Sequence, residues 1–269
     1  MLTKISKATA GLLLLVAAVY TGLVGFLYVG QESLIFVGEP LPEAHQFEFE
    51  VPYQEVTIDV DGAALHGLHF RQPDPRGLVF FLHGNGGNLE SWTTGVDYYR
   101  RVNYDMFMLD YRGYGKSTGE IDSEAQLHAD VRQAWNTIAA QYPDKPIVLY
   151  GRSLGAALAV QLATDVDPDL LILVSPFESM LTMAQARYPF VPAAAVRYPF
   201  RNDLAITKVS APIVLVHGDY DTFIPLRHSQ RLQELAVAPT KLLVIQGAEH
   251  NDIHEFRSYT DGLTDALPN

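Results

Sequence analysis

Cysteine is absent from the 269-residue chain. That absence removes disulfide staples, thiolate metal sites, palmitoylation and cysteine catalysis together. It names no compartment, because a chain of this length stabilises itself by core burial alone. Basic residues are few: 19 Lys and Arg stand against 31 Asp and Glu, a formal net charge of -12. Phosphate-rich partners need clustered cations, so this balance argues against nucleic acid and against anionic membrane surfaces. No block of like charge, repeat or low-complexity tract interrupts the sequence. Close to half of the residues are apolar, enough for one sizeable core.

The apolar residues are unevenly spread. Residues 8–29 (ATAGLLLLVAAVYTGLVGFLYV) carry no charge, and at about 1.5 Å per residue they span roughly 30 Å, the hydrocarbon thickness of a bilayer. A cleaved signal peptide and a buried helix are the alternatives. The run is longer than a usual signal core, and no clear small-x-small site follows it. Lys4 and Lys7 precede it, whereas the next basic residue is Arg71; Glu32, Glu39, Glu43, Glu48 and Glu50 fill the interval. This asymmetry predicts a single-pass protein with residues 1–30 as cytoplasmic N-terminus and membrane anchor. The remainder then lies on the exported side, periplasmic in a bacterium.

Residues 31–52 contain Pro40, Pro42 and Pro52 without a sustained period and read as a linker packed on the edge of a domain over 53–269. From Gln54 the chain alternates two kinds of segment. QEVTIDV and ALHGLHF, split by Asp61-Gly62, predict an antiparallel hairpin. LVFFL, MFMLD, IVLY, LLILV, IVLVH and LLVI then read as buried parallel strands, being continuous rather than alternating apolar runs. Helical stretches over 89–101, 123–142, 155–166, 225–237 and 252–267 separate them. Ser123 has the character of an N-cap, with Gln126 three residues on. The rhythm predicts an α/β fold: a mostly parallel eight-stranded sheet flanked by helices. One connection, 176–211, is long enough for a short lid.

Gly151-Arg152-Ser153-Leu154-Gly155 joins such a strand to a small-residue helix. That is the setting of a nucleophile elbow, where a serine hydroxyl is offered on a sharp turn that only flanking glycines permit. Asp221 follows the strand at 213–216, and His250 stands in the loop after the last strand, so nucleophile, acid and base appear in the order Ser, Asp, His. Asp219 and Glu178 are rival acids, the first a turn residue, the second one strand earlier. His83-Gly84-Asn85-Gly86-Gly87-Asn88 follows the strand at 78–82, and the N-H groups of Asn85 and Leu154 are the expected oxyanion donors. His66 with His69, and His250 with His254, lack a third ligand for a metal. The mechanism calls for neither metal nor cofactor.

HGNGGN, DYRGYGKSTG, GRSLG, HGDYDTFIP and GAEHND, in that order, resemble the α/β-hydrolase superfamily, and more closely its small membrane-associated branch of protein-depalmitoylating enzymes and serine-aminopeptidase-like domains. The resemblance runs from about Gln31 onward. It implies Ser153, Asp221 and His250 as catalytic triad, Asn85 and Leu154 as backbone donors, and Arg112 as a tie between loops. The cysteine-rich N-terminus of the palmitate-removing relatives is replaced here by the apolar run. The implied activity is acyl ester or thioester hydrolysis on a small-molecule or lipid-like substrate. A peptidase or amidase, and a non-catalytic binding protein on the same fold, are the competing readings. Within 176–211, Tyr188, Phe190, Tyr198 and Phe200 carry little charge between them and are candidates for an apolar acyl pocket or for core packing; Met180 and Met183 read as packing residues.

Overall fold

The computed structural model describes residues 7–268; Lys4 lies outside them. A helix, α1 (Lys7–Val29), runs through the apolar segment with no residue buried, and it is long and apolar enough to cross a membrane. A one-residue break at Gly30 leads into α2 (Gln31–Ile35). Eight strands follow: β1 (Gln54–Val60), β2 (Ala63–Phe70), β3 (Gly77–Leu82), β4 (Tyr104–Leu109), β5 (Ile147–Arg152), β6 (Leu170–Val174), β7 (Ile213–Gly218) and β8 (Thr240–Ile245). They form one mixed sheet in the order β1-β2-β4-β3-β5-β6-β7-β8. β2 is antiparallel to β1 and β4, and all remaining pairs are parallel. The connecting helices are α3 (Val96–Arg101), α4 (Glu124–Ala139), α5 (Leu154–Leu162), α6 (Met180–Arg187), α7 (Asn202–Ala205), α8 (Arg227–Leu235) and α9 (Arg257–Thr264).

The burial patterns explain why this order forms. Every residue of β3, β4, β6 and β7 is buried, so both faces of these strands need cover. Leu78, Phe80 and Leu82 of β3 point to the layer built on α4 and α5; Val79 and Phe81 point to the layer holding α3 and α9. At the edge, β1 alternates exposed and covered positions. Ser123 caps α4, its hydroxyl accepting from the Gln126 N-H at 3.1 Å, while Gln126 reaches back to the Asp122 N-H at 2.9 Å. The expected helix over 89–101 begins instead as a 3-10 turn, Leu89–Gly95, capped by Asn88, and becomes α-helical only in α3. The stretch 252–267 divides likewise into a 3-10 turn, Ile253–Glu255, and α9.

Segment 31–52 is stitched to the sheet-end loops. Gly38 bridges to Gly87, Pro40 to Gly115, and Phe47 is buried in the α3/α9 layer. α2 escapes sequence reading because five residues are too few to show a helical period. Arg112 ties the 110–119 loop to α4 and to the first hairpin: its guanidinium makes a two-pronged bond to Asp130 at 2.6 and 2.9 Å and donates to the Asp61 carbonyl at 2.7 Å. Both partners are buried. Removing one partner of such a pair strands the other charge in the interior, which costs about 3–5 kcal/mol. Asp130→Ala should therefore lower the melting temperature by roughly 10 °C. Asp165→Ala, which breaks the exposed pair with Arg132, should shift it far less. Thermal unfolding of the three proteins in detergent checks the contrast.

Candidate active site

The site begins where the sheet changes direction. β3 and β5 are neighbours, yet the chain leaves β3 toward β4 on one side and β5 toward β6 on the other. A crevice opens at the carboxyl ends of two such strands, and both expected loops enter it, 83–88 after β3 and the elbow after β5.

Ser153 sits between β5 and α5 with φ 52° and ψ -113°, left-handed backbone that a residue with a Cβ rarely adopts. Two glycines make the turn possible. A Cβ on Gly155 would stand 2.0 Å from the Leu82 carbonyl oxygen of β3, and one on Gly151 would stand 2.3 Å from the Gly155 carbonyl oxygen. The turn thus brings the start of α5 against the end of β3, with the Ser153 N-H donating to the Val174 carbonyl at 2.9 Å.

The other residues meet it there. His250 Nε2 lies 3.2 Å from Ser153 Oγ, and His250 Nδ1 lies 2.7 Å from Asp221 Oδ2. An ionised carboxylate only accepts, so Nδ1 carries the proton and Nε2 is left to accept from the serine hydroxyl. Asp221 is buried, and burial opposes its charge. Hydrogen bonds from His217 and His250 and from the Ile224 N-H outweigh that, holding the carboxyl well below the usual carboxylate range. Its other oxygen accepts from the N-H groups of Phe223 and Ile224, at 3.0 and 2.7 Å. The rival acids have other partners: Asp219 accepts from the Gly247 N-H at 2.6 Å, pinning the histidine loop, and Glu178 meets His228 through its backbone N-H at 3.3 Å.

The 83–88 loop is fixed from both sides. Trp92 donates to the Gly86 carbonyl at 3.0 Å, and Asn85 Oδ1 accepts from the Val37 N-H at 2.9 Å. The N-H groups of Asn85 and Leu154 donate to no acceptor among the described residues. Arg152, which the motif leaves unspecified, was missed by sequence reading. Its guanidinium donates to the carbonyls of His250 and Asn251, both at 3.1 Å, and lies 5.3 Å from the centre of the Trp92 ring. It thereby joins the elbow, the 83–88 region and the histidine loop. A charged residue between two glycines at the end of an apolar strand was the available signal.

A cavity of about 650 Å³ opens beside this array. Its lining excludes Ser153 and His250 themselves, but Phe223 forms part of the wall and meets the His250 ring edge-on at 5.1 Å. Of the four candidate pocket aromatics, Tyr188 lines the cavity. Phe190 lies at the surface, 42% exposed. Tyr198 and Phe200 lie away from the cavity: both are buried in the core against Phe36, and the Tyr198 hydroxyl donates to Glu32 at 2.9 Å. α2 and the residue after it cover them, α2 offering the Glu32 carboxylate and Phe36 the ring. Met180 and Met183 pack on the core with one flank and line the cavity with the other. Burial and the Arg227 charge push the cavity residue His228 down to about 4, which keeps it neutral. Among the described residues no group of three or more His, Cys, Asp or Glu side chains is placed to hold a metal ion.

Comparison with known proteins agrees with this architecture. The family model described as "Serine aminopeptidase, S33" matches residues 73–201. Alpha/beta hydrolase domain-containing protein 17B of Xenopus tropicalis is 32% identical over 196 residues, 71% of this chain and 66% of that protein; the human protein of that name is 31% identical over the same shares. The chain thus spans just under two thirds of the length of these relatives. Protein Rv2307c of Mycobacterium tuberculosis is 31% identical over 248 residues, 88% of this chain and 86% of the relative. Among solved structures, the Pyrococcus furiosus esterase PF2001 superposes with a TM-score of 0.70 at 18% identity, covering 85% of this chain and 96% of that one. Mouse alpha/beta hydrolase domain-containing protein 10 gives 0.61 at 18% identity, covering 80% of this chain and 100% of that one. With an eight-stranded mixed sheet, a strained elbow at its direction change and these relatives, the chain belongs to the α/β-hydrolase superfamily.

Proposed function

We propose that this protein is a membrane-anchored serine hydrolase that cleaves acyl esters or thioesters. The observation that carries the reading is the unbroken run of contacts from Ser153 Oγ through the His250 ring to the buried Asp221 carboxylate. Ser153 Oγ attacks the acyl carbon as His250 Nε2 takes its proton, and Asp221 stabilises the imidazolium. The negative charge that develops on the carbonyl oxygen falls to the free N-H groups of Asn85 and Leu154. His250 returns the proton to the leaving oxygen or sulfur as that bond breaks, and water repeats the sequence on the acyl-enzyme.

Lining chemistry favours an acyl group over a peptide. An aminopeptidase holds a substrate ammonium, which calls for carboxylates, whereas the charged side chains on the cavity are Arg187 and Arg227 amid mostly apolar residues. The anchor reading rests on α1, and the sidedness on Lys4 and Lys7 before it and the glutamates after it.

Ser153→Ala should abolish p-nitrophenyl ester turnover and fluorophosphonate labelling, a loss of about 10⁴-fold or more, with folding intact. Asp221→Asn should lower kcat by a similar factor while binding changes little; Asp219→Asn and Glu178→Gln should each stay within about tenfold. A reversed ranking of Asp221 and Glu178 would move the acid to the preceding strand. Stability adds a pH test. Because the folded state depresses the Asp221 pKa below its ordinary 3.8, its contribution is present above that value and fades as pH falls below it. The melting-temperature gap between wild type and Asp221→Asn should be full at neutral pH and shrink in scans below about pH 4. For sidedness, alkaline phosphatase fused after Asn269 should be active in a bacterial host, and activity only as a cytoplasmic reporter would refute the orientation.

A further inference from the structure

The anchor and the long β6–β7 connection are built into each other. The Tyr20 hydroxyl donates to the Phe190 carbonyl at 3.0 Å. Tyr20 lies about 14 Å along α1 from its end at Val29, at 1.5 Å per residue, so the loop around Phe190 packs against the middle of the apolar helix. α2 then clamps the same connection. Gln31 donates to the Ala195 carbonyl and accepts from the Arg197 N-H, each at 2.8 Å, and Glu32 pairs with Arg197. The Arg197 guanidinium also lies 5.5 Å from the centre of the Tyr28 ring.

The 650 Å³ cavity lies in this junction. Leu27, Leu34 and Ile35 form one wall, Met183 and Val191 face them, and Phe223 joins the cavity to the His250 ring. One wall therefore includes the end of α1, and the opposite end of the cavity stops at Phe223, one ring contact from His250. Arg187 and Arg227 are exposed, and neither makes an ion pair among the described residues. A guanidinium fork matches a phosphate better than an ammonium does. Net negative charge disfavours adhesion to an anionic surface, but one phosphate answers to the local pair of arginines rather than to the global sum.

We infer that the cavity takes an acyl chain of a glycerophospholipid drawn sideways from the adjoining leaflet, with the lipid phosphate on Arg187 and Arg227. The inference deepens the serine-hydrolase reading and rests on it for the reaction. The acyl carbon–oxygen bond breaks, the oxygen of water ends on the acyl carbon, and the glycerol oxygen takes the proton from His250. The products are a fatty acid and a lysophospholipid.

The test uses full-length Ser153→Ala protein in phosphatidylcholine vesicles doped with a phosphatidylcholine that bears a diazirine near the end of one chain. After irradiation, adducts are mapped by mass spectrometry. The inference expects adducts on α6 and on Phe223 as well as on α1. It also expects Ala184→Trp, which fills the cavity, to cut the α6 and Phe223 adducts about fivefold or more. With Arg187 and Arg227 both changed to Glu, phosphatidylcholine should lose its advantage over a diacylglycerol carrying the same chain. Adducts confined to α1 overturn the assignment, as does stronger α6 labelling by a palmitoylated peptide than by the phospholipid. Soluble ester turnover by the wild type separates the two readings. Turnover with adducts on α1 alone rejects the lipid cavity, whereas cavity adducts without any ester turnover reject the hydrolase.

Discussion

Leu82 and Gly155 approach so closely that no side chain fits between them: a Cβ on the glycine would lie 2.0 Å from the Leu82 carbonyl oxygen. That contact sets the rest of the site. It brings the start of α5 against the end of β3, so the N-H of Leu154 and the loop carrying Asn85 share one crevice. It also forces Ser153 into left-handed backbone, which aims the hydroxyl out of the turn instead of along the helix. The strain is tolerable because β3, β5 and β6 are buried on both sides, and a packed sheet centre does not relax to relieve one residue.

The electrostatic arrangement follows from the same burial. Placing Asp221 out of water penalises its charge, so the carboxylate stays ionised only because several donors converge on it. His217 is one, and it is itself fixed between Ser229 Oγ at 2.6 Å and the Ile224 carbonyl at 2.7 Å. The imidazole of His250 is then oriented from its Nδ1 side by Asp221 and from its main chain by Arg152, so ring direction and tautomer are set before any substrate arrives. Arg152 touches the main chain of the loop that carries His250, not the Ser153 hydroxyl.

Legibility in the sequence tracked how local the determinant was. Five buried strands, β3 to β7, were readable as apolar runs because two-sided burial removes alternation, whereas the sixth run, β8, was expected to be buried too but is an edge strand with Ile245 alone buried. The meeting of Ser153, Asp221 and His250 was readable because each stands at a strand end, where chain order restricts what it meets. The roles of Tyr198 and Phe200 were not. Their burial depends on Phe36 and Glu32, more than 160 positions away, and no periodicity within 176–211 encodes that partnership. Arg152 was hidden for a related reason. Its partners are main-chain carbonyls of another loop, which any sequence would present, so only the three-dimensional approach of the loops reveals it.

That long-range pairing also bears on why an apolar cavity persists in a chain rich in carboxylates. A cavity walled only by α6 and α8 would stand open on one side, and water would compete there for its apolar lining. α2 contributes a wall, and it is held in place by polar contacts at the rim, Gln31 to 195 and 197 and Glu32 to Arg197 and Tyr198, while Leu34 and Ile35 line the cavity. Hydrogen bonds at the rim and apolar side chains within is the division expected where a surface must stay attached yet leave room for a guest. Because α2 follows α1 after a single residue, the placement of α1 and the width of the cavity are mechanically coupled.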